Sequence, residues 1–264
     1  MDTAYLVALA FLQGVTEFLP ISSSAHLVLA NALAPQSGNP ASVIVALHGA
    51  TLLALLVYFF DDIRRLLHGA LSGQSGDRTY VVALGIATLP MIVAGAFLYE
   101  MFIQSNDPTM VAAVLIVSGL SLFVADRYAQ STQRRTTPLP MRGLVIGLMQ
   151  LLAVIPGVSR SGITMTAGRL VGFSRNEAVR FSFLLGIPVI FGAQVWSVVT
   201  ILRGSAAVLP VSPLALIGAS AITFFLALGV VRLLLQVIER IGFAPFCVYQ
   251  IVLGTLVLVT AIAQ

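Results

Sequence analysis

Long apolar runs alternate with short polar connections along the chain, and the rhythm breaks twice, where small polar residues fall inside an apolar stretch. A transmembrane helix needs roughly 17–25 predominantly apolar residues. Six segments meet that requirement, at about 42–60, 81–99, 109–125, 179–201, 213–231 and 243–262. Two more stretches, about 4–34 and 143–172, are long enough but are interrupted near the middle by proline and small polar residues. Each is predicted to be a re-entrant helix-loop-helix hairpin, two half-helices entering and leaving by one face. Irregular backbone at that depth is tolerated only where protein or a water-filled cavity surrounds it.

Composition supports a membrane solvent. Of 264 residues, 58% are hydrophobic and 9% charged, against roughly 25% charged in a soluble domain; mean hydropathy is +1.01. The fold class is therefore all-α integral membrane protein. All 14 basic residues are arginines. A pI near 9.7 could suggest nucleic acid, but the arginines sit in short loops between apolar runs, where they set topology, and no nucleic-acid partner is expected. The lone Cys247 cannot form an internal disulfide and reads as packing. The first residues carry Asp2 rather than a basic cluster, so no cleavable signal peptide is expected.

Arginine placement orients the spans. Arg64, Arg65 and Arg78 in loop 61–80, and Arg127, Arg134, Arg135 and Arg142 in loop 126–142, mark cytoplasmic connections, whereas loop 100–108 carries Glu100 and Asp107 without arginine. If stretch 143–172 returns to the cytoplasm, Arg169, Arg175, Arg180, Arg232 and Arg240 join that side and only Arg203 falls outside; if it crossed, those five would change sides. Re-entry is thus preferred, with both termini outside. The result is a single membrane domain, 1–264, made of two inverted repeats, about 1–130 and 131–264, each with one broken stretch and three spans. PxxS at Pro20–Ser23 lines up with PxxS at Pro156–Ser159. Broken segments at matching places in inverted halves point to a site near the midplane.

The polar residues of the two breaks are the candidate chemistry. Gln13 and Glu17 are four apart, on one face of the incoming half-helix. Pro20 disrupts continuation, which places Ser22, Ser23 and Ser24 at the break, with the outgoing half-helix beginning near Ala25 or His26. A serine-capped half-helix N-terminus suits an anion; alternatively the serines only cap a kink and His26 bonds to backbone. Glu17 favours the functional reading, because a carboxylate inside a membrane is costly without a task. In the second island, Pro156 and Gly157 break the helix and Ser159, Arg160 and Ser161 follow, with Thr164 one turn on. Arg160 can clamp a phosphate bidentately, or pair with Glu17 to neutralise it. His48, inside the first span, either lines the cavity or, the favoured reading, is a core histidine, and His68 reads as solvated. Gly14, Gly49, Gly119, Gly147 and Gly186 read as close helix contacts. No P-loop, HExxH, CxxC or G-x-S-x-G occurs, and the single thiol excludes a cysteine phosphatase.

At QGVTEFLPISSSAHL, Gln13 to Leu27, and PGVSRSGITMTAG, Pro156 to Gly168, the chain resembles the undecaprenyl-diphosphate phosphatases of the bacitracin-resistance type; FSFLLGIPVIFGA, Phe181 to Ala193, is similar too. The resemblance implies hydrolysis of a C55 isoprenyl diphosphate to its monophosphate with a divalent cation, Mg or Ca. It implies six spanning helices plus two re-entrant regions in inverted pseudo-symmetry, in a bacterial plasma (inner) membrane, with the site open to the outer face. Ser23 matches the family's catalytic serine, with direct attack by water as the alternative. Glu17 would hold the cation or act as base; Gln13, where the family accepts Glu or Gln, is the second metal position. His26 would protonate the leaving oxygen, orient substrate or replace Glu17 as base. Arg160 would offset phosphoryl charge, while Ser22, Ser24, Ser159, Ser161 and Thr164 would bind substrate through hydroxyls. The partners are then an isoprenyl diphosphate lipid and membrane lipid, with a homodimer among the compatible assemblies. The rival is a transporter or flippase for the carrier lipid, since inverted repeats with broken helices also build transporters.

Overall fold

The computed structural model describes residues 2–34, 41–102, 107–131, 137–202 and 211–262, and every element among them is helical. In order these are α1 (Thr3–Thr16), α2 (Ser23–Leu33), α3 (Ala41–Tyr58), α4 (Phe60–Leu71), α5 (Ser75–Phe102), α6 (Pro108–Ser131), α7 (Leu139–Gln150), a 3-10 turn (Leu151–Val154), α8 (Arg160–Leu170), α9 (Arg175–Leu202), α10 (Pro213–Ile241) and α11 (Ala244–Ile262). Five helices are long and apolar enough to cross a membrane, or six if α3 and α4, bent by 66° at their junction, count as one span. Arg134, Arg135 and Arg203 lie outside the described residues.

Several helices outrun the apolar segments that predict them. α5 starts at Ser75 rather than near 81, α9 at Arg175 rather than 179, and α10 continues to Ile241 rather than 231. Apolar length reports the thickness of hydrocarbon, whereas backbone hydrogen bonding carries a helix on into the polar zone. The 29 residues of α10 would reach about 44 Å at about 1.5 Å per residue, well past a hydrocarbon core of about 30 Å. Pro90 and Pro188 sit inside α5 and α9, where neighbouring helices can satisfy the freed backbone groups.

Small residues set the tightest crossings. A Cβ on Gly14 would lie 2.9 Å from the Thr223 carbonyl, so α1 meets α10 backbone to backbone, and Thr223 Oγ1 donates to the Ala10 carbonyl at 3.0 Å. Gly143 and Gly147 of α7 rest on the Ala83 and Ala87 carbonyls of α5 in the same way. Gly119 of α6 faces Cys247 and Gln250, while Gly254 of α11 faces Ala112, which gives α6 and α11 a reciprocal contact. Gly49 faces open space and makes no such contact. Beneath the first break, Phe18, Phe59 and Phe183 form an edge-to-face cluster within the largest core. Large apolar side chains such as Phe11, Phe60, Val93, Leu214 and Phe225 face outward, the arrangement of a multi-pass protein whose surroundings are lipid.

The arginines expected in loops are largely bonded. Arg169 is buried and its Nε donates to Asp126 at 2.8 Å; Arg175 Nη2 reaches the other Asp126 oxygen at 2.8 Å. Arg175 also reaches the Glu239 carbonyl, and Arg180 pairs with Asp62. Arg142 belongs to α7, donates to the Thr137 carbonyl and lies over the Phe173 ring. These pairs fasten the end of α3 and α4, the end of α6, the end of α10, the start of α7 and the α8–α9 turn into one end of the molecule. Cys247 is fully buried in the core.

Candidate active site

Each break is organised by a serine cap. α2 begins at Ser23, two or three residues earlier than expected, because Ser22 is the cap: its side chain accepts from the Ala25 N–H at 3.3 Å. Ser159 caps α8 likewise, accepting from Gly162 N–H at 3.1 Å. Ser22 and Ser24 hydroxyls lie 3.1 Å apart, and so do those of Ser159 and Ser161. Ser22 carries φ 66°, and among the described residues no other non-glycine has a positive φ. An L-residue there is strained, so the surroundings must hold it.

The two breaks meet at Glu17. Its Oε2 accepts from Ser23 Oγ at 2.8 Å and from Gln13 Nε2 at 2.9 Å; its Oε1 accepts from Arg160 Nη2 at 3.2 Å. The Glu17 side chain is 7% exposed and that of Arg160 13%. A buried carboxylate needs a paired, hydrogen-bonded environment, and removing its partner leaves a charge stranded in a low dielectric. Arg160 also donates to the Ser182 carbonyl at 3.4 Å. Gly186 of α9 is where it is because a Cβ there would sit 2.4 Å from Arg160 Nη1; its role is room for the guanidinium rather than a helix crossing.

Other hydroxyls of the islands are fasteners. Ser161 Oγ donates to the Leu19 carbonyl at 3.1 Å, linking the second hairpin to the first. Thr164 Oγ1 bonds the Arg160 carbonyl at 2.9 Å and the Ser182 hydroxyl at 2.7 Å. Ser22, Ser159, Ser161 and Thr164 are all buried, and buried hydroxyls must find partners. Ser24 is exposed and Ser23 partly so.

His26 turns to α11: Nδ1 lies 2.7 Å from the Ser22 carbonyl and Nε2 lies 2.7 Å from the Tyr249 hydroxyl. His48 lies against the site, the less favoured of its two readings. Its Nδ1 bonds the Ile44 carbonyl at 2.8 Å, and its Nε2 is 3.6 Å from Glu17 Oε2 with 30% of the side chain exposed. The signal that singles out Glu17, a titratable group inside an apolar span, applied equally to His48. Ser182 and Gly186 lie in the family-like stretch Phe181 to Ala193, but a serine and a glycine in a helix carry no such signal of their own; the packing of α8 on α9 gives them their roles.

Among the described residues no group of three His, Cys, Asp or Glu side chains gathers as a metal cage. Gln13 is fully buried and its Oε1 has no hydrogen-bond partner. The amide nitrogen rather than this oxygen faces Glu17, but a buried carboxamide oxygen without a partner and a carboxylate one turn on are the donor types that fit a hard cation of the magnesium kind, which takes one or two carboxylates and completes its shell from substrate phosphates.

Comparison with known proteins gives consistent results. The family model described as "Bacitracin resistance protein BacA" matches residues 6–256. The chain is 40% identical to an "Undecaprenyl-diphosphatase" of Maricaulis maris over 268 aligned positions, covering 98% of this chain and 99% of the relative. It is 39% identical to one of Alteromonas mediterranea, covering 96% of each, and 37% identical to one of Teredinibacter turnerae, covering 98% and 99%.

Proposed function

The chain belongs to the bacitracin resistance protein BacA family, and from that we propose that it is a membrane phosphatase hydrolysing undecaprenyl diphosphate to undecaprenyl phosphate and inorganic phosphate. Such a reaction returns the carrier lipid to cell-wall synthesis and underlies resistance to bacitracin. The observation that carries this reading is the shared carboxylate: Glu17 holds a hydroxyl from one break on Oε2 and a guanidinium from the other on Oε1.

Diphosphate hydrolysis needs a positioned nucleophile, a proton acceptor and compensation of phosphoryl charge. Ser23 Oγ already points its proton at Glu17, so attack on the terminal phosphorus forms the Ser23 O–P bond while the proton passes to Oε2. The bridging P–O bond breaks and the prenyl monophosphate departs. Water then adds to the phosphoserine phosphorus, the Ser23 O–P bond breaks as Glu17 returns the proton to the Ser23 oxygen, and both protons of the water leave with inorganic phosphate as H2PO4−. Arg160 uses one donor on Glu17 and one on the Ser182 carbonyl, and the rest of its five-donor fork suits phosphoryl oxygens. The exposed Ser24 and the α2 N-terminus add donors on the open side. Glu17 and Gln13 would hold a divalent cation, Mg or Ca, which supplies charge neutralisation at the diphosphate.

The hairpins are read as re-entrant, with six spans between and after them. Support comes from Arg142 at the start of α7 lying over Phe173 just past α8, as expected if that hairpin returns to the face it entered. The step that takes Ser22 to Ser159 takes Gln13 to Gln150, both fully buried, and carries α5 and α6 onto α10 and α11, which favours two inverted halves. With the arginine-rich end placed in the cytoplasm of a bacterium, the site opens toward the outer face of the plasma membrane and the prenyl tail stays in lipid.

The test is phosphate release by purified protein from a prenyl diphosphate with magnesium. Ser23→Ala, Glu17→Ala and Arg160→Ala should each lose most of it, and a chelator should stop it; full activity in all three variants would sink the assignment.

A further inference from the structure

His26 carries both ring nitrogens in short hydrogen bonds, and their partners decide its state. The Ser22 carbonyl can only accept, so Nδ1 at 2.7 Å from it carries the proton. In the neutral ring Nε2 then presents a lone pair, and the Tyr249 hydroxyl at 2.7 Å is its donor. The two rings are parallel to within 3°, with centroids 5.7 Å apart. His26 is buried. Its neighbours in the bond network are thus Ser22 and Tyr249, whereas the proton of Ser23 goes to Glu17.

The Ser22 carbonyl is the point of strain. Its residue alone among the described non-glycines has a positive φ, and the same oxygen also accepts the His26 backbone N–H at 3.3 Å. On the other side of the turn, Gln250 Nε2 donates to the Pro20 carbonyl. Gln250 is buried, and Gly119 of α6 lets that helix close against its Cβ. Consecutive residues of α11 therefore hold the carbonyls that flank Ile21: Gln250 grips Pro20 directly, and Tyr249 grips Ser22 through His26. Ser23, the first residue of α2, leaves this turn next.

We propose that Tyr249 and Gln250 are positioning residues that hold the strained turn, with His26 as the link, so that Ser23 stays aligned on Glu17. This assigns α11 a part in catalysis that neither polar island contains, and it rests on the phosphatase reading. A side chain that fixes a histidine tautomer acts at one remove from the chemistry, and misplacement of a reacting group costs rate more than binding.

The experiment compares the full-length protein with Tyr249→Phe, His26→Ala and the double variant, and records imidazole nitrogen NMR of the wild type and Tyr249→Phe without substrate. The expected wild-type signal is the neutral Nδ1–H tautomer with a hydrogen-bonded Nε2, and Tyr249→Phe should lose that Nε2 signature. Its kcat should fall about tenfold with KM for the prenyl diphosphate unchanged, and the double variant should be no slower than His26→Ala alone. An unchanged spectrum, an unchanged kcat, or losses that multiply in the double variant would each overturn the positioning role. Gln250→Met, close in volume, should lower kcat with KM unchanged; full activity there removes Gln250 from the bracket. The NMR result needs no turnover, so it stands or falls apart from the phosphatase reading.

Discussion

Ser22-Ser23-Ser24 and Ser159-Arg160-Ser161 are two versions of one device. In each, the first serine caps a half-helix through the N–H three residues on, and its hydroxyl lies 3.1 Å from that of the third residue. In each, the middle side chain reaches Glu17. They differ in what that middle residue is, a hydroxyl in the first and a guanidinium in the second, and in exposure, since Ser24 is open while Ser161 is buried and bonded to the first hairpin. The frame is common and the chemistry is divided. In the proposed mechanism one half brings acid and nucleophile, while the other brings positive charge and the fastening between hairpins.

The comparison can be broken most forcefully at the two middle positions. Ser23→Ala leaves cap and fold intact, and phosphate release should fall by about 10³-fold or more; activity near wild type would reassign attack to water. Arg160→Lys keeps charge but loses the planar fork, and a drop of about 10²-fold in kcat/KM is expected from steady-state assays. Gly186→Ala places a methyl group where the Arg160 guanidinium lies. The arginine end can move, so thermal stability should change little, while rate falls by about tenfold as the guanidinium leaves Glu17. Weakest is Ser159→Ala, which removes the cap and its contact with the Ser161 hydroxyl: denaturant unfolding should show a loss of about 1 kcal/mol, with activity reduced less than by any change at Ser23 or Arg160. If Ser159→Ala instead matched Ser23→Ala in rate, the second tripeptide would have a direct part in the reaction.

A contrast between arginines makes the same point. Arg160 and Arg169 sit on one helix, α8, nine positions apart, and both pair with a carboxylate. Arg169 is closed in by Asp126 and the Phe173 carbonyl and belongs to the fastening of the arginine-rich end. Arg160 keeps donors in hand on a carboxylate that it shares with the partly exposed Ser23. Charge in the sequence did not separate them; their surroundings do.

Much of this was readable from the chain. The six apolar segments, the two breaks and the polar islands follow from local composition, because the cost of a polar group in lipid is high enough to leave a mark at each residue. Glu17, Ser23 and Arg160 stand out for that reason. What the sequence left open is whatever depends on two distant segments meeting: Ser161 and Thr164 as fasteners, His48 beside Glu17, room for Arg160 at Gly186, and the grip of Tyr249 and Gln250 on the first turn. Periodicity and hydropathy are properties of neighbours along the chain, whereas the direction of a hydroxyl or an imidazole edge is set by whichever helix packs against it. The chain alone determined that a membrane protein would place an acid, a serine and an arginine at two breaks; only tertiary packing decided that one carboxylate would join them.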